Sequence, residues 1–362
     1  MAHSITNLAQ ALGGTVEGDS SLTVVGATEP GRAAPDELAV ALTPSFIEQI
    51  PSGKALVALL PEGTNWQRLG LSAAILVYSG RATMAPLTAA FVAPDEPAAH
   101  HPTAEVKGAK LGGGVGLGAF TVIGYGAVIG DGTRLGHHVT IAPGAVIGSN
   151  VVIHDGVRIG PKVRIGDGSR LHPNVVIGAD GFSFVSPMRT QVDAVRETLG
   201  AASDPQLKTS AWQKIHSLGG VEIGAEVEIG SGSTVDAGTL RPTRIGDRTK
   251  VDNLVQIGHN VRVGTDCLIC AQAGIAGSTD VGDRTVIGGK AGIADNLTVG
   301  SDVVLGGGTI VLANVPNGRI MLGYPAMPMD RHIASYKALR RLPRLLGRLF
   351  GREKPGSQDA SE

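Results

Sequence analysis

The stretch richest in reactive side chains is Asp252-Asn253-Leu254-Val255-Gln256-Ile257-Gly258-His259-Asn260. It sets an acid, three amides and an imidazole close together in sequence. An imidazole with an ordinary pKa of about 6.5 is the side chain suited to accept a proton at neutral pH. A carboxylate near one ring nitrogen fixes the tautomer and raises the basicity of the other nitrogen. Asp252 lies across one corner of the chain from His259, so His259 is the expected general base and Asp252 its expected orienting partner. The amides Asn253, Gln256 and Asn260 are expected to contact substrate. Deviations from the surrounding pattern add Asp236, and they also pick out His154 and His172.

That surrounding pattern is a six-residue beat. An aliphatic residue returns every sixth position from Leu111 to Ile177, again at Ile223, Ile229 and Val235, and, after a slip of four residues, from Ile245 to Val311. Of these 27 aliphatic positions, 18 are followed directly by glycine, so a constraint on the backbone recurs with the period. A short fixed period signals a solenoid, whose units bury their apolar side chains only by stacking on one another. The glycine lets the chain turn a corner without a Cβ clash. Three hexads per coil make a triangular parallel β-helix, with residues one coil apart stacked about 4.8 Å from each other. His154 and His172, three hexads apart, then stack on one face, with His137 or His138 nearby as a third imidazole. Metal binding needs more converging ligands than this, so surface histidines along a groove are expected and no metal.

Composition narrows the classes. A net charge of −1 gives no global attraction for nucleic acid. The two cysteines, Cys267 and Cys270, form a single CxxC in phase with the beat, and they are expected to fill core and corner positions. No long apolar run or basic-then-apolar leader is seen, which points to a soluble, cytoplasmic chain.

The beat also divides the chain. Residues 1–104 lack it and read as a small α/β domain plus a linker. A helix is expected from Ile5, short strands around Leu22–Val25, Ala39–Leu42, Ala55–Leu60 and Ala74–Tyr78, and a further helix over Pro86–Phe91. Residues 105–315 form the β-helix, interrupted by a loop insertion over 179–220. That loop opens on Gly178-Ala179-Asp180-Gly181-Phe182-Ser183-Phe184 and is expected to wall a binding groove. Residues 316–362 form a basic helical extension. A helix over Ile333–Phe350 with its register broken at Pro343 is expected, carrying Arg331, Lys337, Arg340, Arg341, Arg344 and Arg348 and followed by Arg352 and Lys354. Such a patch fits an acidic partner or an anionic membrane surface.

The hexad pattern resembles the hexapeptide-repeat left-handed β-helix family, and the resemblance implies the three faces and the left hand. The Asp252–Asn260 stretch, the loop entry Ile177-Gly178-Ala179-Asp180-Gly181-Phe182 and Ser233-Thr234-Val235-Asp236 before the slip resemble the UDP-3-O-acylglucosamine N-acyltransferase family of lipid A synthesis. That resemblance implies transfer of a 3-hydroxyacyl group from acyl carrier protein to the 2-amino group of UDP-3-O-acylglucosamine. It implies no cofactor beyond the donor's phosphopantetheine and a homotrimer with grooves between subunits; the basic C-terminal helix is then expected to dock the acidic acyl carrier protein or, alternatively, to touch the anionic inner leaflet of the membrane. It also implies roles in substrate binding for Asp236, Asp180 and Phe182, and a uridine-binding N-terminal domain.

Three positions depart from that family's pattern. Asn296 stands where its members carry a second histidine; it lies two coils beyond the His259 coil, roughly 10 Å along the face, and an amide there can donate to an oxyanion. Val40 and Phe46 stand where two aromatics would clamp uracil, leaving one stack on Phe46. Ala237 follows Asp236 where the family often has arginine. Three other readings remain open: an O-acyltransferase acting on UDP-N-acetylglucosamine, a zinc-dependent hexapeptide-repeat carbonic anhydrase, and a scaffold without catalysis.

Overall fold

The computed structural model describes residues 2–78, 80–92, 99–191, 193–194, 211–323 and 326–349. Most of the expected linker, the middle of the loop insertion, Phe350, Arg352 and Lys354 lie outside the described residues. The chain divides into two compact units, Met1–Glu96 and Pro97–Glu362.

The first unit is a five-stranded sheet. Gly26–Thr28, Glu37–Val40, Val57–Pro61 and Ala73–Val77 run parallel, and Thr15–Gly18 pairs antiparallel along Ala73–Leu76. The central strands are buried on both faces, so their sequences are continuous apolar runs. Alternate residues feed two cores: Val57, Leu59 and Ile75 pack under the helices Ile5–Ala11 and Met84–Phe91, while Ala58, Leu60 and Leu76 face the other side. Phe46, on the short helix Pro44–Ile47, is half-buried against that second core. The Thr15–Gly18 strand is not evident in the sequence because it is an exposed edge without an apolar run.

The second unit is the solenoid. Three parallel sheets of 10, 10 and 9 strands, most only two residues long, stack coil on coil. The register is the period made visible: Ile123 pairs with Ile141, Ile141 with Ile159 and Ile159 with Ile177, each three hexads on. The inward Ile, Val and Leu side chains form one continuous core. Removing one of them costs about 2–5 kcal/mol, by loss of transfer energy and creation of a cavity. Two positions before many inward residues stands a buried Thr or Ser, whose hydroxyl donates to a carbonyl of the next coil, as Thr133 does to Gly148. Cys267 takes this slot, with its Sγ 3.1 Å from the Gly282 carbonyl, and burial pushes its thiol pKa up.

The corner glycines have a different cause from free rotation. The left-handed residue of most corners stands three positions past the inward one and is often Asn, Asp, Lys or Arg. The glycine directly after the inward residue is required by the neighbouring coil: a Cβ on Gly130 would lie 2.5 Å from the Gly148 carbonyl carbon. At the four-residue slip, Val235 pairs with Ile257 on the next coil, and the extra residues make an outward loop through Thr239 and Arg241.

The last helix runs Met329–Leu349 unbroken through Pro343, contrary to the expected break. A proline in a helix interior removes one i→i−4 bond, but the helix continues on either side with none of its residues buried. Among the described residues no helix is long and apolar enough to cross a membrane.

Candidate active site

His259 sits just beyond the strand Gln256–Ile257, at the corner where the chain leaves that sheet, and is half-buried. Its ring lies between two glycines. A Cβ on Gly277, one coil on, would stand 2.7 Å from both Cε1 and Nε2 of the imidazole, and one on Gly181 would stand 2.7 Å from the His259 Cβ. The two missing side chains form the slot that holds the ring.

Asn260 sets the tautomer. Its Oδ1 accepts the backbone N–H of Thr239 at 3.0 Å, and its Nδ2 faces the Arg241 carbonyl at 3.4 Å, so the amide has one orientation. The same Oδ1 is 3.0 Å from His259 Nδ1. An oxygen cannot donate there, so Nδ1 carries the proton and Nε2 presents its lone pair. Asn260 is itself buried, held by its own N–H donating to the Thr243 hydroxyl at 2.9 Å. The sequence points to Asn260 as a substrate contact; in the structure it holds the His259 ring through Nδ1.

Asp236 supplies the carboxylate. It lies on the neighbouring strand Thr234–Ala237 and is buried. Burial raises its pKa above the ordinary carboxylate range, while a hydrogen bond from Gln256 and the nearby His259 act in the opposite direction. A carboxylate beside an imidazole favours the charged form of the ring.

Asp252 does not orient His259. Its Oδ1 accepts the Asn253 N–H at 2.7 Å and its Oδ2 the Ala271 N–H at 3.0 Å, on a different sheet of the coil. Asn253 is on that sheet too, with Oδ1 accepting the Ser231 N–H at 2.7 Å. Both side chains brace corners, and within one chain neither shares the face of His259. The physical reason is the corner between them, which turns Asp252 and Asn253 onto an adjoining side of the triangle.

The other expected residues are placed as follows. Asn296 is exposed on the His259 sheet, two strands along, and donates to Asp295 at 3.1 Å. Asp180 is ion-paired with Lys214, which holds its carboxyl below the ordinary range and ties the two ends of the insertion together. Phe182 is 87% exposed, edge-on to Phe184 at 5.1 Å, beside a groove that Trp212 also lines. His154 and His172 do stack, with ring centroids 5.2 Å apart, but His172 meets Glu228 at 2.7 Å and His154 meets Arg170 at 3.4 Å. His138 stacks on Phe120 instead of joining them. Among the described residues no group of three or more His, Cys, Asp or Glu side chains is placed to hold a metal ion.

Sequence reasoning misses Gly181, Gly277 and the Thr239 backbone. Gly277 could be found, because it stands one coil after His259 in the same register. Among the described residues no acceptor meets the Gly277 N–H, although the N–H of Ser278 beside it donates to the His259 carbonyl at 2.9 Å.

Comparison with known proteins bears on this arrangement. The bacterial transferase hexapeptide model (six repeats) matches residues 144–179 and 242–277, the second span containing the His259 corner. The chain is 50% identical over 349 residues to the UDP-3-O-acylglucosamine N-acyltransferase of Ruegeria pomeroyi, covering 96% of this chain and 95% of that one. It belongs to the UDP-3-O-acylglucosamine N-acyltransferase family. The member of the same family from Paracoccus denitrificans is 50% identical over 280 residues, covering 77% of this chain and 76% of that one. Among solved structures, Arabidopsis UDP-N-acetylglucosamine acyltransferase aligns with a TM-score of 0.50 at 21% identity, over 62% of this chain and 71% of that chain, a likeness of fold. The chain is thus a left-handed parallel β-helix of the hexapeptide class, with a separate N-terminal α/β unit.

Proposed function

We propose that the protein transfers a 3-hydroxyacyl group from the thioester of acyl carrier protein to the 2-amino group of UDP-3-O-acylglucosamine. The observation that supports this reading most is the His259 tautomer: Nδ1–H is bound by Asn260 and Nε2 is left as the acceptor. Near-full-length identity to family members carries the substrate class.

In this reading the sugar amine attacks the thioester carbonyl carbon, forming the C–N bond. His259 Nε2 takes the proton that the nitrogen sheds, and Asp236 stabilises the resulting imidazolium. The carbonyl oxygen becomes an oxyanion, which the Gly277 N–H beside the ring is suited to receive. The C–S bond then breaks, and the leaving thiolate takes the proton from Nε2. A thioester is already activated, so the step needs no resident cofactor; the phosphopantetheine belongs to the donor.

Gln256, Phe182, Asp180 and Asn296 are the side chains we assign to substrate contact along this face, and Phe46 to uracil stacking. We place the protein in the cytoplasm as a homotrimer. Asn253 and Asp252 sit on a sheet other than that of His259, so any contact from them to the reacting groups comes from a neighbouring subunit. The fold-level likeness to an O-acyltransferase says nothing of the acceptor.

The test mixes purified protein with 3-hydroxyacyl carrier protein and UDP-3-O-acylglucosamine, follows carrier thiol release, and identifies the product by mass spectrometry. An added amide at the sugar nitrogen is expected. Thiol release only with UDP-N-acetylglucosamine as acceptor, or none across acyl chain lengths, overturns the reading.

A further inference from the structure

The loop made by the four-residue slip carries a cation that the reaction above does not use. Arg241 stands on it, and the loop is tied down by its neighbours. The Leu218 N–H donates to the Thr239 carbonyl at 2.8 Å, Gly219 to the Gly238 carbonyl at 2.8 Å and Gly238 to the Gly220 carbonyl at 3.0 Å. A Cβ on Gly238 or Gly219 would overlap the Arg241 carbonyl oxygen, so the missing side chains make room for it. Asn260 Nδ2 faces the same oxygen at 3.4 Å. The loop is thus built against the corner that holds His259.

The exposed Arg241 side chain turns back to that corner. Its Nη2 donates to the carbonyl of Asn260, the residue after His259, at 3.2 Å. A guanidinium has five N–H donors, and among the described residues Arg241 meets no other acceptor. The arginines on the adjoining sheet differ. Arg244 pairs with Glu222 at 2.8 Å, and Arg262 takes both oxygens of Asp280, at 2.6 and 2.7 Å.

We infer that Arg241 binds the diphosphate of the UDP-sugar acceptor and so sets the sugar amine against His259. This rests on the proposed reaction. In a UDP-sugar the carbon bearing the 2-amino group is bonded to the anomeric carbon, which carries the diphosphate. The amine and the phosphate next to the sugar are therefore neighbours. A base that reaches the amine and a guanidinium bonded to the next residue face those two groups of one substrate. The fork of N–H donors matches the paired oxygens of a phosphate. The donor also carries a phosphate, but at the opposite end of its pantetheine arm from the thioester. In a trimer this corner must still admit substrate to His259, and the guanidinium bonded there shares the opening.

The test compares UDP with uridine, which lacks the diphosphate, as ligands of the full-length protein by calorimetry. Wild type should bind UDP more tightly than uridine. Arg241→Gln should weaken UDP roughly 10- to 100-fold, the worth of a hydrogen bond to a charged group, and leave uridine unchanged. Arg244→Gln, whose charge is already paired, should move neither ligand. In carrier thiol release the Arg241→Gln loss should lie in KM for the UDP-sugar, with partial rescue by Arg241→Lys. A rise in KM for the carrier protein instead assigns Arg241 to the phosphopantetheine phosphate and overturns the inference. So does a wild type without preference for UDP, an equal loss of UDP and uridine in Arg241→Gln, or an equal loss of UDP in Arg244→Gln. Dissociation of Arg241→Gln in sedimentation assigns the side chain to a subunit contact and overturns it too. Arg241-dependent UDP binding in a protein that transfers no acyl group keeps the site and removes the reaction.

Discussion

Replacing Gly277 by alanine probes the base without touching it. The added Cβ would stand 2.7 Å from His259 Nε2 and Cε1, against an ordinary contact of 3.4 Å or more. The ring must therefore retreat by about 0.7 Å, and a displacement of about 1 Å at a reacting group costs on the order of 100-fold. We expect kcat/KM to fall roughly 10- to 100-fold, equivalent to about 1.4–2.7 kcal/mol of barrier. The backbone tolerates alanine, because Gly277 is not among the positive-φ glycines. Gly274→Ala, on the same coil, is the control: its Cβ would meet nothing within 4 Å. The assay is carrier thiol release at saturating donor, with circular dichroism to check the fold. A Gly277→Ala enzyme at the wild-type rate, or an equal loss in Gly274→Ala, would refute the slot geometry.

Other expectations follow from the same contacts. Asn260→Asp places a carboxylate on Nδ1–H, so the acidic limb of the pH–rate profile should move to higher pH; an unmoved limb removes Asn260 from its positioning role. Asp236→Asn should lower turnover yet raise Tm at neutral pH. The folded-state pKa of Asp236 is raised by burial, so its ionised form destabilises the fold at neutral pH. That gain should vanish below about pH 4, where the carboxyl is protonated in both folded and unfolded states. Asp252→Ala should cost about 1–3 kcal/mol by freeing two backbone donors while the pH–rate profile keeps its shape. A shifted acidic limb in Asp252→Ala would restore it as the partner of His259.

The solenoid is legible because its cause is periodic: each inward aliphatic position follows from the last, and the structure keeps that register from coil to coil. His259 is legible as the one imidazole amid amides. Its partner is not, and the reason is the register. Asp252 is near in sequence but a corner away. Asp236 belongs to the preceding coil and lands beside His259 only because the four-residue slip lengthens that coil beyond its three hexads. Gly181 is hidden in the loop insertion, outside the repeat, whereas Gly277 is separable from the corner glycines because it stands two positions past the inward Ile275, one coil after His259. Pro343 misleads for a different reason. A proline marks the commonest break in a helix, but in this fully exposed helix the loss of one bond leaves the turns on both sides intact.

The central claim is that His259 Nε2 receives the amine proton. The most direct measurement is the pH dependence of kcat/KM for thiol release by wild type and His259→Gln. The wild type should show an acidic limb set by the imidazole, and the variant should lose at least about 100-fold together with that limb. A variant that keeps both rate and limb would contradict the account.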